Sequence, residues 1–162
     1  MKRVIVIGCP GSGKSTFSRE LHRLTGIPLY HLDMMYWNAD KTTVEKAVFR
    51  KRLSEALAQA SWIIDGNYGS TMEMRMAACD TVIFLDYSTE LCLAGIRARQ
   101  GKPRSDMPWV EETDDEEFLA YVRDYNSDNR PQVMKLLEAY ADKKIYIFHD
   151  RIEADAFLAS LK

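Results

Sequence analysis

Between residues 3 and 24 the chain packs three distinct patterns into one small unit. RVIVIG (3–8) is a nearly continuous apolar run. GCPGSGKST (8–16) crowds glycines, a proline and hydroxyls around one lysine, and Phe17, Leu21 and Leu24 then fall at i, i+4 and i+7. Val and Ile without polar alternation suit a strand covered on both faces. The stripe that follows suits one face of a helix. A strand covered on both faces needs other layers on either side of it, so this unit commits the chain to an α/β layout with a parallel sheet.

The rest of the chain repeats the alternation. PLYHLD (28–33), WIIDG (62–66), TVIFLD (81–86) and KIYIFH (144–149) are the other apolar runs. Gly26 followed by Pro28 stops the first helix. Thr42 and Glu45 have capping-box spacing before a stripe of Phe49, Leu53, Ala56, Leu57 and Ala60. Ser88 or Thr89 is placed to cap a helix running towards Arg99. Phe118, Tyr121, Val122 and Tyr125 make a further stripe, and Val133, Leu136, Leu137 and Tyr140 another, with Pro131 suited to a helix start. A last helix is predicted over 152–161. No repeat or linker divides the chain, so residues 1–162 read as one domain, with QGKPRSDMPW (100–109) as its irregular loop.

Composition narrows the classes. A chain of 162 residues is long enough for a core without disulfides or a structural metal. A net charge of −2 argues against coating nucleic acid through bulk electrostatics, so direct nucleic-acid binding is not expected. The three cysteines, Cys9, Cys79 and Cys92, match neither a disulfide framework nor a metal clip. No apolar stretch approaches a membrane span, and the run at 4–7 is too short for a signal peptide. The expectation is a cytoplasmic protein with no membrane partner, a monomer or weak homodimer.

Gly8-x-x-x-x-Gly13-Lys14-Ser15 matches the phosphate-binding P-loop and lies between a strand and a helix, where that motif works. Glycines such as Gly8, Gly11 and Gly13 let backbone N–H groups turn in around phosphate oxygens, with Ser12 among them, and the helix N-terminus points at the same place. Lys14 is expected at the β- and γ-phosphates, Ser15 at Mg²⁺ and Thr16 at the α-phosphate. ATP and Mg²⁺ are therefore the expected ligands. Cys9 reads as a small filler in the loop.

Asp33, Asp65 and Asp86 each close an apolar run, where a P-loop enzyme needs an acid near the metal. Each also suits a cap or turn. The order of motifs resembles the adenylate-kinase-like small P-loop kinases. That resemblance implies a P-loop NTPase three-layer sandwich, with five parallel strands in the order 2-3-1-4-5. It also implies a helical acceptor-side insert at about 34–60 and a short lid at about 97–112. It places Asp65, in Asp65-Gly66, on the metal side with Ser15, and leaves Asp86 structural.

Adenylate kinases follow Asp-Gly with an aromatic, a proline and an arginine that grips the acceptor phosphate. This chain has Asn67, Tyr68 and Gly69 there, with Arg75 further on as a group that could reach over. Nucleoside, shikimate and gluconate-type kinases resemble the arrangement at Asp33, with an acid that contacts the acceptor hydroxyl or the metal. A carboxylate can orient an alcohol and take its proton, whereas it would repel an incoming phosphate. HLDMMYW, WIIDGNY and GKPRSDM together resemble the topology modulation proteins, over residues 1 to about 125. The family name implies an effect on DNA topology, yet no residue here reads out DNA.

Arg97, Arg99, Lys102 and Arg104 bracket the irregular segment, with Gly101, Pro103 and Pro108 as hinge residues. In the resembled fold such a segment closes over the phosphates, which makes Arg97 and Arg104 candidate catalytic residues beside Lys14 and Asp33, with Arg97 also touching the nucleotide. The plainer alternative is a solvated basic turn paired with EETDDEE (111–117). The resemblance also implies phosphate contacts for arginines after the lid, here Arg123 or Arg130, and an adenine site near His149-Asp150-Arg151. Tyr36 and Trp37 either line an acceptor pocket or pack the insert. The sequence thus points to an ATP- and Mg²⁺-dependent kinase of a small-molecule hydroxyl. A nucleoside monophosphate kinase is the enzymatic alternative. A nucleotide-dependent regulator touching DNA or a protein is the alternative from another class.

Overall fold

The computed structural model describes residues 1–102, 106–108 and 116–162. In chain order its elements are β1 (Arg3–Gly8), α1 (Lys14–Thr25), β2 (Leu29–His31), α2 (Leu32–Tyr36), α3 (Lys46–Leu57), β3 (Trp62–Asp65) and α4 (Gly69–Ala78). Then come β4 (Thr81–Leu85), α5 (Thr89–Arg99), α6 (Glu116–Asp128), α7 (Arg130–Ala139), β5 (Lys144–Phe148) and α8 (Arg151–Ala159). The five strands form one parallel sheet in the order β2-β3-β1-β4-β5. Among the described residues no helix is long and apolar enough to cross a membrane.

The pleat explains the layers. Alternate residues of a strand face opposite sides. Val4 and Val6 of β1 therefore pack with Phe17 and Leu21 of α1, Ile96 of α5, Val122 of α6 and Leu158 of α8. Ile5 and Ile7 pack with Leu53 of α3, Met76 of α4 and Leu137 of α7. Residues Val4, Ile5, Val6 and Ile7 are all fully buried, each worth about 1.5–3 kcal/mol of transfer free energy, which is why this run takes the centre of the sheet. All the strands run the same way, so their carboxyl ends open on one edge, where sheets of this kind hold ligands.

Local signals account for several boundaries. Gly26 caps α1 in the left-handed region at φ 72°, with its N–H on the His22 carbonyl. The Ser88 hydroxyl accepts from the Leu91 N–H at the start of α5, and Pro131 sits in the first turn of α7. Two expectations fail. The second strand ends at His31, and Asp33 lies in the first turn of the five-residue helix α2. The Thr42–Glu45 pair does not form a capping box, because Thr42 is bound to Asp40 in a turn, and α3 begins at Lys46 with no side-chain cap. Of the predicted lid, residues 103–105 and 109–112 lie outside the described residues, and Arg104 with them.

Candidate functional site

The loop after β1 is a cradle built from backbone. Gly11 and Gly13 have φ 86° and 90°, a left-handed geometry that side chains resist. The Lys14 ammonium folds back onto the Gly8 and Cys9 carbonyls at 2.9 and 3.2 Å. Burial lowers its pKa, while the charges of Cys9, Asp65 and Asp33 pull it up and that of Arg99 lowers it further. Ser12 is 1% exposed and its hydroxyl has no hydrogen-bond partner, so a buried polar group in the loop awaits one. Asn67 closes the loop from outside: its side-chain carbonyl accepts the Gly8 N–H at 3.2 Å.

Strand register brings the acids in. His31 of β2 stands beside Asp65 of β3, which stands beside Val6 of β1. The His31 Nδ1 and an Asp65 oxygen are 2.7 Å apart, and Asp65 is only 5% exposed. Burial alone would lower the imidazole pKa, but the bond and charge of Asp65 outweigh it and raise it above the ordinary 6.5. Two residues after His31, Asp33 accepts a hydrogen bond from the Tyr68 hydroxyl. Burial pushes the Asp33 carboxyl above its usual range; Tyr68 and Lys14 hold it back, and Asp106 and Asp65 add to the rise. Lys14, Asp65 and Asp106 thus all bear on Asp33, and Asp33 and Asp65 both bear on Lys14.

The turn from Gly66 to Tyr68 has an unexpected anchor. Arg75 of α4 is 0% exposed. It donates to the carbonyls of Gly66 (3.0 Å), Asn67 and Tyr68 (3.2 Å), and to the Thr71 hydroxyl (3.2 Å). Burial pushes its pKa down to about 10. A guanidinium spent on three carbonyls cannot also grip an acceptor phosphate, which corrects the expectation that Arg75 reaches over. Tyr36 and Trp37 pack edge-on at 5.4 Å, and Tyr36 also meets Phe49 at 5.3 Å and Tyr68 at 5.0 Å, so these rings wall the turn.

The candidate arginines separate. Arg97 is exposed, whereas Arg99 is half-buried over the Phe118 ring at 5.7 Å, and its charge acts on Lys14. Two residues apart on a helix, they face different ways. Arg130 is held by Asp86 at 2.8 and 2.9 Å, and Arg123 by Glu116. Asp86 is thereby a structural acid, as expected. A cleft of about 540 Å³ opens from the loop between α1 and α8, lined by Ser12, Gly13, Thr16, Tyr87, Arg151 and Asp155. The Arg151 guanidinium comes within 3.1 Å of the position a Cβ on Gly13 would take.

The donors suit Mg²⁺. A hydroxyl at the start of α1 (Ser15) and a buried carboxylate at the end of β3 (Asp65) are hard oxygen ligands. Among the described residues no group of three or more His, Cys, Asp or Glu could hold a metal by itself.

In the sequence His31 has no visible triad or metal partner and Asn67 marks only a departure from the adenylate-kinase pattern; the structure pairs them with Asp65 and with the Gly8 N–H. The signal for His31 was its place two residues before Asp33 in a short strand, beside the strand ending in Asp65. No family model matches the chain, and no curated protein does. Solved structures do. Shikimate kinase from Bacteroides thetaiotaomicron is similar over 99% of this chain and 96% of its own, at 18% identity and a TM-score of 0.59. Shikimate kinase from Acinetobacter baumannii, in complex with shikimate, is similar over 99% of this chain and 90% of its own, at 16% identity and a TM-score of 0.65. The fold is therefore that of the small P-loop kinases.

Proposed function

We propose that the protein is an ATP- and Mg²⁺-dependent phosphotransferase acting on a hydroxyl group of a small molecule. The observation that carries the reading is Asp33: a carboxylate within electrostatic reach of the cradle lysine, on a side where Arg75 is already consumed. A group there suits an alcohol and repels a phosphate. The likeness to two kinases, one bound to a small molecule, supports the same class. We take the chain as one kinase domain, with residues of about 34–60 as the acceptor-side insert and about 97–112 as the lid. The resemblance to topology modulation proteins rests on the motifs quoted above and names no acceptor.

In this reading Lys14 and the N–H groups of the loop, Gly11 and Gly13 among them, hold the β- and γ-phosphates, while the Gly8 and Ser12 N–H groups, expected there from the motif, are taken by the Asn67 side chain and the Cys9 carbonyl and shape the loop instead. Thr16 and the cleft lined by Arg151 take the rest of the nucleotide. Ser15 and Asp65 would hold Mg²⁺, which neutralises phosphate charge when bound. Asp33 orients the acceptor hydroxyl and accepts its proton. The acceptor oxygen bonds to the γ-phosphorus, the bond to the β-phosphate oxygen breaks, and ADP leaves. Arg99 supplies positive charge near the moving phosphoryl group, and positioning plus such charge is most of what this chemistry needs.

The test is ADP formation from Mg-ATP, alone and with separate pools of nucleosides, nucleoside monophosphates, sugars and small hydroxy acids. Stimulation by a hydroxyl-bearing pool is expected, and Lys14→Ala and Asp33→Asn should both abolish it. Stimulation by monophosphates alone, undiminished in Asp33→Asn, would refute the hydroxyl reading. ATP binding with no pool active, together with DNA binding that weakens steeply with salt, would move the protein to the regulator class.

A further inference from the structure

Tyr68 is an odd residue at an odd place. Its backbone lies at φ 25°, ψ 79°, one of two non-glycine residues with positive φ among those described. Glycine tolerates such backbone far better, and strain of this kind persists only where its surroundings enforce it. Here they do. Arg75 holds the carbonyl of Tyr68 and those of the two residues before it. The ring is boxed by Tyr36 at 5.0 Å and Phe49 at 5.3 Å. All of this restraint delivers one hydroxyl to one oxygen of Asp33. Among the described residues no other hydrogen bond to the Asp33 carboxylate is formed, and Asp33 as a residue is half-buried rather than sealed.

We propose that Tyr68 is the positioning residue of the acceptor site: its hydroxyl occupies one oxygen of Asp33, so that a single fixed oxygen faces the acceptor's hydroxyl. The inference rests on the reading of Asp33 as the acceptor's base. A carboxylate free to turn about its last torsion offers two interchangeable oxygens in a broad range of directions. One pinned by a rigid phenol offers one, and orientation of that kind is a large part of what a transfer site contributes. The groups facing Asp33 are Tyr68 at the cap of α4, Lys14 of α1, Asp65 at the end of β3 and Asp106 of the 106–108 segment. Of these, only Tyr68 is hydrogen-bonded to it.

The experiment reads Asp33 directly in the full chain without nucleotide. Carboxyl carbons are ¹³C-labelled in aspartate, Asp33→Asn identifies the Asp33 signal, and its titration is followed in wild type, Tyr68→Phe and a protein carrying 3-fluorotyrosine at position 68. Phenylalanine keeps the ring and its packing but removes the donor, so the Asp33 midpoint should rise. Fluorotyrosine is a stronger donor, so the midpoint should fall. A purely structural role would not move the two in opposite directions. Mg-ATP affinity should stay within about twofold in both, and acceptor-stimulated kcat in Tyr68→Phe should fall about 10- to 100-fold with KM for ATP unchanged. An Asp33 midpoint that does not move, or moves the same way in both proteins, overturns the proposal. Opposite shifts with no acceptor pool active would overturn the phosphotransfer reading alone.

Discussion

Gly95, in the middle of α5, sets two effects against each other when it is replaced by alanine. A Cβ there would lie 2.0 Å from the Gly11 carbonyl oxygen and 2.9 Å from its carbon, where ordinary contact begins at 3.4 Å. The shortfall of about 1.4 Å falls on backbone, which cannot swing aside as a side chain can. The approach is mutual, since a Cβ on Gly11 would lie 2.0 Å from the Cys92 carbonyl oxygen. Helix propensity alone favours alanine by about 1 kcal/mol. Overpacking costs about 1–3 kcal/mol, and a backbone obstacle puts this site at the upper end. Gly95→Ala should therefore lose about 1–2 kcal/mol, a fall in Tm of about 2–8 °C for a chain of this size. The displaced segment is the phosphate cradle, so affinity for a fluorescent ATP analogue should drop at least about tenfold, a loss of about 1.4 kcal/mol. Gly69→Ala is the control, because a Cβ there meets nothing within 4 Å. A Gly95→Ala protein as stable as wild type, binding the analogue equally well, would refute the claim that α5 and the loop are locked backbone to backbone.

Other expectations follow from the same geometry. Asn67→Ala strips the Gly8 N–H of its partner and should cost about 1–3 kcal/mol in urea unfolding, with weaker ATP-analogue binding. Arg75→Met orphans three carbonyls and should cost about 3 kcal/mol; Arg75→Lys should restore little, because an ammonium lacks the planar fork. Asp33→Asn should raise Tm at neutral pH. The folded carboxyl has a raised pKa, so the folded state binds the proton more tightly than the unfolded one, and stability falls as pH climbs from the ordinary carboxylate range through the raised value. Asparagine escapes that loss, and its advantage should vanish in acid; thermal scans from pH 4 to 8 decide it.

The sheet was legible because its information is local. Unbroken Val and Ile runs, the Gly26 stop and the Ser88 cap each act within a few residues, and strand order came with the motif resemblance. The acids were legible only as candidates. Nothing near Asp33 in the chain says that a tyrosine 35 positions on will bind it. Nothing near His31 says that Asp65 waits on the next strand. Arg75 looked like a clamp because a lone arginine near the site has the right charge. Its burial, decided by how α4 packs, turned it inward. Arg97 and Arg99 could not be ranked without the helix phase that puts only one of them on Phe118.

The His31–Asp65 pair also bears on how the chain finds its pairing. β2 has three residues and none is fully buried, so apolar burial gives it little reason to prefer one alignment over its neighbours. A parallel strand slipped by one residue moves about 3.3 Å along its axis and turns its side chains to the opposite face. Such a slip would separate His31 from Asp65 and carry Asp33 out of reach of Tyr68. The imidazole–carboxylate bond thus works as a key for a short edge strand, and folding errors in β2 would surface as a well-folded protein with a misplaced acid.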